Sequence, residues 1–272
     1  MTETEYRYQD RIVAFIDILG YREKLEEFEK DAKSKEVAQG ETILTSDKVN
    51  EFLNTFKSVT QSLDAKNIRY YLFSDNICIS ADYIENPKLA IEILFTIADL
   101  FYAFAQKGYF LRGAIEVGKF IDEPMIALGN PLTKAYLAES KVANYPRILL
   151  SADYYDFITN FLKNEGSGFY DESIQEHLVY NSCELYYLNV FYGVFQMPDK
   201  VVYFTSLKDR IEENLQKTQR KEHLHVKYDW LANLYNRFLE TYSNKLVYAE
   251  SEELEAGTIA LLPQLKIIKN GI

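Results

Sequence analysis

Arg11-Ile12-Val13-Ala14-Phe15-Ile16-Asp17-Ile18-Leu19-Gly20-Tyr21 is the stretch on which the fold turns. Residues 11–18 read as a buried strand, with Ile12, Ala14, Ile16 and Ile18 on one face and Val13 and Phe15 on the other. Asp17 interrupts the apolar run at its C-terminal end, and Gly20 permits a sharp exit into a helix. Downstream, residues 21–62 read as two helical pieces around a polar loop at about 30–42, the second starting after Ser46 as N-cap. Residues 67–82 read as a hairpin turning at Ser74-Asp75-Asn76. Leu89, Ile93, Ile97, Phe101 and Phe104 mark a helix by their spacing, after Pro87 in its first turn. Residues 109–118 read as a further strand. Strand, helix, strand, strand, helix, strand is the ferredoxin-like βαββαβ order, an α+β fold with an antiparallel sheet and helices on one face.

Beyond this core, a short extended segment runs to Leu128, residues 130–142 read as a helix, 147–151 as a strand, and a helix starts after Ser151. Residues 186–195 look strand-like, 206–245 mostly helical, and the tail holds one apolar run, TIALLPQLKII. There is no repeat or linker, so the expectation is one elaborated domain: a core over residues 1–151 with a C-terminal extension, 152–272, packed on it. The chain has 272 residues, 47% of them apolar, enough for a sizeable core. Its 30 Lys+Arg against 41 Asp+Glu give a net charge of −11, which argues against nucleic-acid or anionic-membrane partners. Cys78 and Cys183 are too few for a disulfide framework or a structural zinc site, and His177, His223 and His225 form no metal-like pattern. Without a long apolar segment or a secretory leader at MTETEYRYQDR, the expected setting is cytoplasmic.

The chemistry starts from Asp17 and Asp75. In a βαββαβ sheet the first strand and the second hairpin strand are neighbours, so both carboxylates reach one sheet edge. Two carboxylates repel unless a cation lies between them, and oxygen-ligated Mg²⁺ or Mn²⁺ suits that position. Ile18-Leu19-Gly20-Tyr21 then offers free N–H groups and a helix N-terminus on which a triphosphate can rest. A second reading stands beside this one: Asp17 caps the helix near Gly20, and Asp75 merely makes the turn.

These residues resemble the class III nucleotidyl cyclases. Phe15-Ile16-Asp17-Ile18-Leu19-Gly20-Tyr21 is similar to the family's Phe-x-Asp-(Ile/Leu)-x-Gly-(Phe/Tyr) strand end. Ser74-Asp75 fills the place of the Gly and second metal-binding Asp of its hairpin. Leu111-Arg112-Gly113-Ala114-Ile115-Glu116-Val117-Gly118 resembles its Gly-ended strand, and Gly129-Asn130-Pro131-Leu132-Thr133-Lys134-Ala135-Tyr136 its helix start. The resemblance spans about residues 11–151. Thr133 falls where the family carries its transition-state Asn, Leu137 where it carries an Arg, and Tyr71 where it carries an adenine-selecting Lys.

Those departures, with the Arg-Gly-Ala-Ile strand and the C-terminal extension, are most similar to the bacterial pyrimidine cyclases of the Pycsar anti-phage system. That resemblance implies conversion of UTP or CTP to a 3′,5′-cyclic nucleotide that activates a separate effector. It implies two metal ions, Mg²⁺ or Mn²⁺, on Asp17, Asp75 and the Ile18 main chain. It also implies a head-to-tail homodimer in which one subunit supplies the aspartates and the other supplies Thr133, Tyr71 and Arg112. Tyr71 then abuts the base, Arg112 meets base or phosphate, and Lys134, Lys141 or Arg147 stands in for the missing Arg. A degenerate nucleotide-binding dimer and a purine cyclase are the competing readings.

Overall fold

The computed structural model describes residues 5–37, 40–64, 68–124, 126–164, 178–248 and 261–267. Its first strand, β1 (Gln9–Ile18), lies between β5 (Asn76–Asp82) and β6 (Leu111–Glu123), antiparallel to both. β4 (Ile68–Phe73) forms the outer strand of the hairpin with β5. The order β4-β5-β1-β6 is the one that βαββαβ connectivity demands. The helices α1 (Tyr21–Asp31), α2 (Asp47–Asp64) and α3 (Leu89–Ala105) supply the connections. The fold is α+β, with a mainly antiparallel sheet.

β1 is buried on both faces, and its alternation decides what each face holds. Ala14, Ile79 and Tyr70 share a row across β1, β5 and β4, and Phe56 of α2 meets Tyr70 edge-on at 5.6 Å. That face carries α2 and the main aromatic core. Phe15 points to the other face, where Tyr136 of α4 (Asn130–Lys141) meets it edge-on at 5.5 Å. α4, which follows the βαββαβ core, thus packs on the sheet face opposite α2. Its apolar stripe includes Pro131 and Ala135, and it covers the odd-numbered residues of β1.

Several boundaries differ from the sequence reading. The polar segment near 30–42 is a hairpin of β2 (Lys33–Glu36) and β3 (Thr42–Thr45). It is largely exposed on both faces, so it leaves no hydrophobic alternation to read. β6 runs on to Glu123 and pairs with β7 (Ile126–Gly129). β8 (Ile148–Leu150) joins β6 in parallel, so the sheet is not wholly antiparallel. α5 (Ala152–Asn164) follows, with the Ser151 hydroxyl accepting from Tyr154 N–H at 3.3 Å. Ser46 caps α2 likewise, accepting from Val49 N–H at 3.2 Å.

After residue 151 the chain adds β9 (Val179–Ser182) and β10 (Leu185–Leu188) to the same sheet beside β8. Strand-like 186–195 thus stops at Leu188. The Asn189 side chain accepts from Phe191 N–H and starts a turn that leads into a 3₁₀ helix, Tyr192–Gln196. α6 (Lys200–Thr218), capped by Asp199, and α7 (Glu222–Tyr248) complete the extension. Of the apolar tail run, residues 258–260 and 268 lie outside the described residues, and Leu262–Leu265 forms a 3₁₀ turn. No helix among the described residues is long and apolar enough to cross a membrane.

Candidate active site

The β1 exit and the β4–β5 turn meet at one corner of the sheet. Ile18 N–H donates to the Asp75 carbonyl at 3.1 Å, and Leu19 N–H to the Phe110 carbonyl at 2.8 Å. Both Ile18 and Leu19 are buried, so this corner is anchored from below. Gly20 has φ +72°, a left-handed turn that suits glycine and hands the chain directly to α1. Ser74 also sits at positive φ, +58°, in the backbone conformation a glycine would take. Tyr21 turns its ring into the aromatic cluster of Phe28 and Phe52, at 6.3 and 5.8 Å. Burial and the charge of Asp75 push its hydroxyl pKa up.

Asp17 does not cap α1. Its Oδ2 accepts from Arg112 Nε at 2.7 Å, the side chain directly across the β1–β6 ladder. Burial pushes the Asp17 carboxyl above its ordinary range, Arg112 pulls it down, and neighbouring Asp75 pushes it up again by charge and by hydrogen bonding. The backbone places the two aspartates at one corner: Asp17 faces Asn76 across the β1–β5 ladder, one residue from Asp75. Among the described residues no group of three His, Cys, Asp or Glu side chains forms a metal cluster. Two close carboxylates still fit Mg²⁺, which retains water and takes substrate oxygens to complete its shell.

Arg112 bridges Asp17 to Glu139 on α4, its Nη2 lying 2.8 Å from Glu139 Oε1. That approach is out of line for a hydrogen bond, which leaves the buried Oε1 without one. The resemblance assigned Arg112 to the partner's half of a composite site. Here the cross-strand register sets it on the aspartate of its own chain. Glu139 is a residue the sequence reading missed. The signal was there: Pro131, Ala135 and Glu139 lie four apart on the buried stripe of α4.

Burial pushes the Glu139 carboxyl from 4.5 up to about 7; Arg112 and Lys227 oppose this, and Asp17 and Asp75 reinforce it. In the unfolded chain the group ionises at its ordinary value, so between about 4.5 and 7 the folded state holds the extra proton. Rising pH across that window therefore lowers stability, and the loss is complete above about 7. Glu139→Gln removes the effect. Relative to wild type, its melting temperature rises between pH 5 and 8, by an amount equivalent to at most about 3 kcal/mol. Parallel melting curves for the two proteins across this range would show that Glu139 carries no such proton.

The remaining expected residues are dispersed. Thr133, Lys134 and Lys141 are exposed on α4, and Leu137 beside them is 39% exposed. Lys134 lies near Glu116, whose carboxyl it pulls down against the upward push of burial. Arg147 is held elsewhere: its Nη2 donates to the Val142 carbonyl, and its guanidinium lies 5.6–5.9 Å from the rings of Tyr145, Tyr187 and Trp230. Tyr71 donates to Asp122 Oδ1 at 2.5 Å, and burial with that contact pushes its pKa up to about 12. Asp122 also accepts from Ser80 at 2.8 Å and pairs with Arg11 at 2.8 Å. Arg69 donates to the Asp122 carbonyl. This buried network lies on the α4 face of the sheet, and of it the sequence reading named Tyr71 alone.

Nucleotide cyclases are among the solved structures this chain resembles. A bacterial light-regulated adenylyl cyclase matches with a TM-score of 0.43 and 14% identity, over 69% of this chain and 54% of that one. The adenylyl cyclase CyaB from P. aeruginosa matches with a TM-score of 0.39 and 15% identity, over 58% and 84%. The catalytic core of a rhodopsin-guanylyl cyclase with converted specificity, in complex with ATPαS, matches with a TM-score of 0.41 and 14% identity, over 57% and 84%. The match thus spans about half the length of the light-regulated enzyme. No protein-family model and no curated protein sequence matches.

Proposed function

We propose that this protein is a metal-dependent nucleotide cyclase acting on a pyrimidine triphosphate, UTP or CTP. The observation that carries the reading is the placement of Asp17 and Asp75 at one sheet corner, tied by the Ile18 N–H to Asp75 carbonyl bond, beside the glycine turn into α1. Asp17, Asp75 and the Ile18 main chain would hold two Mg²⁺ or Mn²⁺ ions, which when bound supply Lewis-acid stabilisation of the triphosphate and of the ionised ribose 3′-oxygen. In the reaction, the 3′-hydroxyl loses its proton to water and its oxygen bonds to the α-phosphorus. The bond from that phosphorus to the bridging oxygen breaks, and pyrophosphate leaves. The chain's own work is positioning and charge stabilisation. The Ile18 and Leu19 N–H groups, expected to be free, are taken by the Asp75 and Phe110 carbonyls, so phosphate contact from this turn falls to Gly20 and Tyr21, and Arg112, held from behind by Glu139, presents a guanidinium to the same corner.

Tyr71, with its hydroxyl held by Asp122, stands where the resembled family carries its adenine-selecting Lys, and a bulky ring at that place would favour the smaller pyrimidine base. Phe73, Leu128, Tyr136 and Leu137 are exposed on or beside the α4 face, which supports a homodimer with composite sites. In this proposal the cyclic product signals phage infection in the cytoplasm to a separate cyclic-nucleotide-sensing effector. Incubation of the pure protein with each of the four triphosphates and Mn²⁺, with products separated by chromatography, tests the activity. Cyclic UMP or CMP is the expected product, and a purine product or none overturns the reading. Leu137, which cannot bind phosphate, favours one alternative, a non-catalytic nucleotide-binding dimer. Triphosphate binding without turnover would mark it.

A further inference from the structure

The C-terminal extension reaches the aspartate corner. Lys221, just before α7, pairs with Glu23 of α1 at 3.4 Å. Within α7, the Tyr228 ring meets Phe110 edge-on at 5.6 Å, and its hydroxyl would lie 3.9 Å from a β-carbon placed on Gly20. Trp230 stacks on Tyr145 at 5.1 Å. These contacts fix the first turns of α7 beside the turn from β1 into α1. Lys227 lies between them, partly buried. Its ammonium feels the charges of Arg112, Asp17 and Glu139. Among the described residues it makes no hydrogen bond and no ion pair within 4 Å. A half-buried cation without a direct partner is costly, and a phosphate group would compensate it.

We propose that Lys227 binds the terminal phosphates of the triphosphate and the departing pyrophosphate, which makes α7 part of the active site. This rests on the cyclase reading for its substrate, yet the binding itself is measurable without turnover. Arg112 and Lys227 then flank the aspartates from two directions, one from the sheet and one from the extension. These two side chains offset the charge of the two aspartates, which would otherwise repel a triphosphate.

The test is calorimetric titration of inorganic pyrophosphate, with and without Mg²⁺, into the full-length wild type, Lys227→Met and Lys227→Arg, beside the cyclase assay. Methionine keeps the apolar stem, so the helix packing is preserved, and circular dichroism checks the fold. Lys227→Met should weaken pyrophosphate binding about 10- to 100-fold and raise KM for the triphosphate more than it lowers kcat. Lys227→Arg should recover most of the binding. Equal pyrophosphate affinity in wild type and Lys227→Met overturns the proposal, even if wild type cyclises UTP or CTP. If no triphosphate is cyclised while Lys227→Met alone loses pyrophosphate, the cyclase reading fails and the anion site stands.

Discussion

Asp17→Ala, and separately Asp75→Ala, should reduce cyclic nucleotide formation by about 10³-fold or more while the protein stays folded. Under the proposed mechanism each aspartate holds charge that develops only when the triphosphate and its cations are in place, so each loss falls on turnover. The folding cost is small for a specific reason. Asp17 is raised in pKa by burial and by Asp75, so its ionised form is already disfavoured in the folded chain. Removing either carboxyl relieves repulsion at the corner. Arg112 keeps Glu139 as a partner when Asp17 is lost, so no buried guanidinium is stranded. The measurement is product formed per minute at saturating UTP or CTP, with melting temperature as the folding control. Full activity in either variant removes the pair from the mechanism.

Gly113→Val should destabilise the fold by about 3 kcal/mol or more and lower the melting temperature by roughly 6–12 °C. Gly113 faces Ile16 in the β1–β6 ladder. A β-carbon there would collide with the Phe15 carbonyl oxygen and lie 3.0 Å from the Ile16 α-carbon. Those are backbone atoms of the central strand and cannot swing aside. The strands would have to separate at the point where Arg112 crosses to Asp17, so the ion pair should loosen with the sheet. Thermal unfolding of wild type and variant checks this. A variant within about 1 kcal/mol of wild type would mean that the ladder yields more readily than its close approach implies.

Most of the fold was legible because β1 and α3 are buried so thoroughly. Six residues of β1 in succession, Arg11 to Ile16, are buried, and a two-sided apolar run ending in Asp17 could not be mistaken for an amphipathic helix. Ser46 and Ser151 were readable as caps since capping is a local bond over three residues. The β2–β3 hairpin escaped because neither face is buried, and hydrophobic period is the only long-range trace a strand leaves in sequence. The parallel placement of β8 escaped for a different reason: RILL reads as a strand in either direction.

The candidate site divides along the same line. By itself the sequence determined that Asp17 ends a buried strand, that Asp75 sits in a tight turn, and that glycine at position 20 releases the chain into a helix, because each depends on neighbours only a few residues away. Tertiary structure alone decided that Arg112 lies across from Asp17 of the same chain, that Glu139 is buried behind it with a raised pKa, and that Lys227 comes up beside them from the C-terminal extension. Charge partnership across a sheet is set by strand register and helix docking, and no local pattern of residue types records either one.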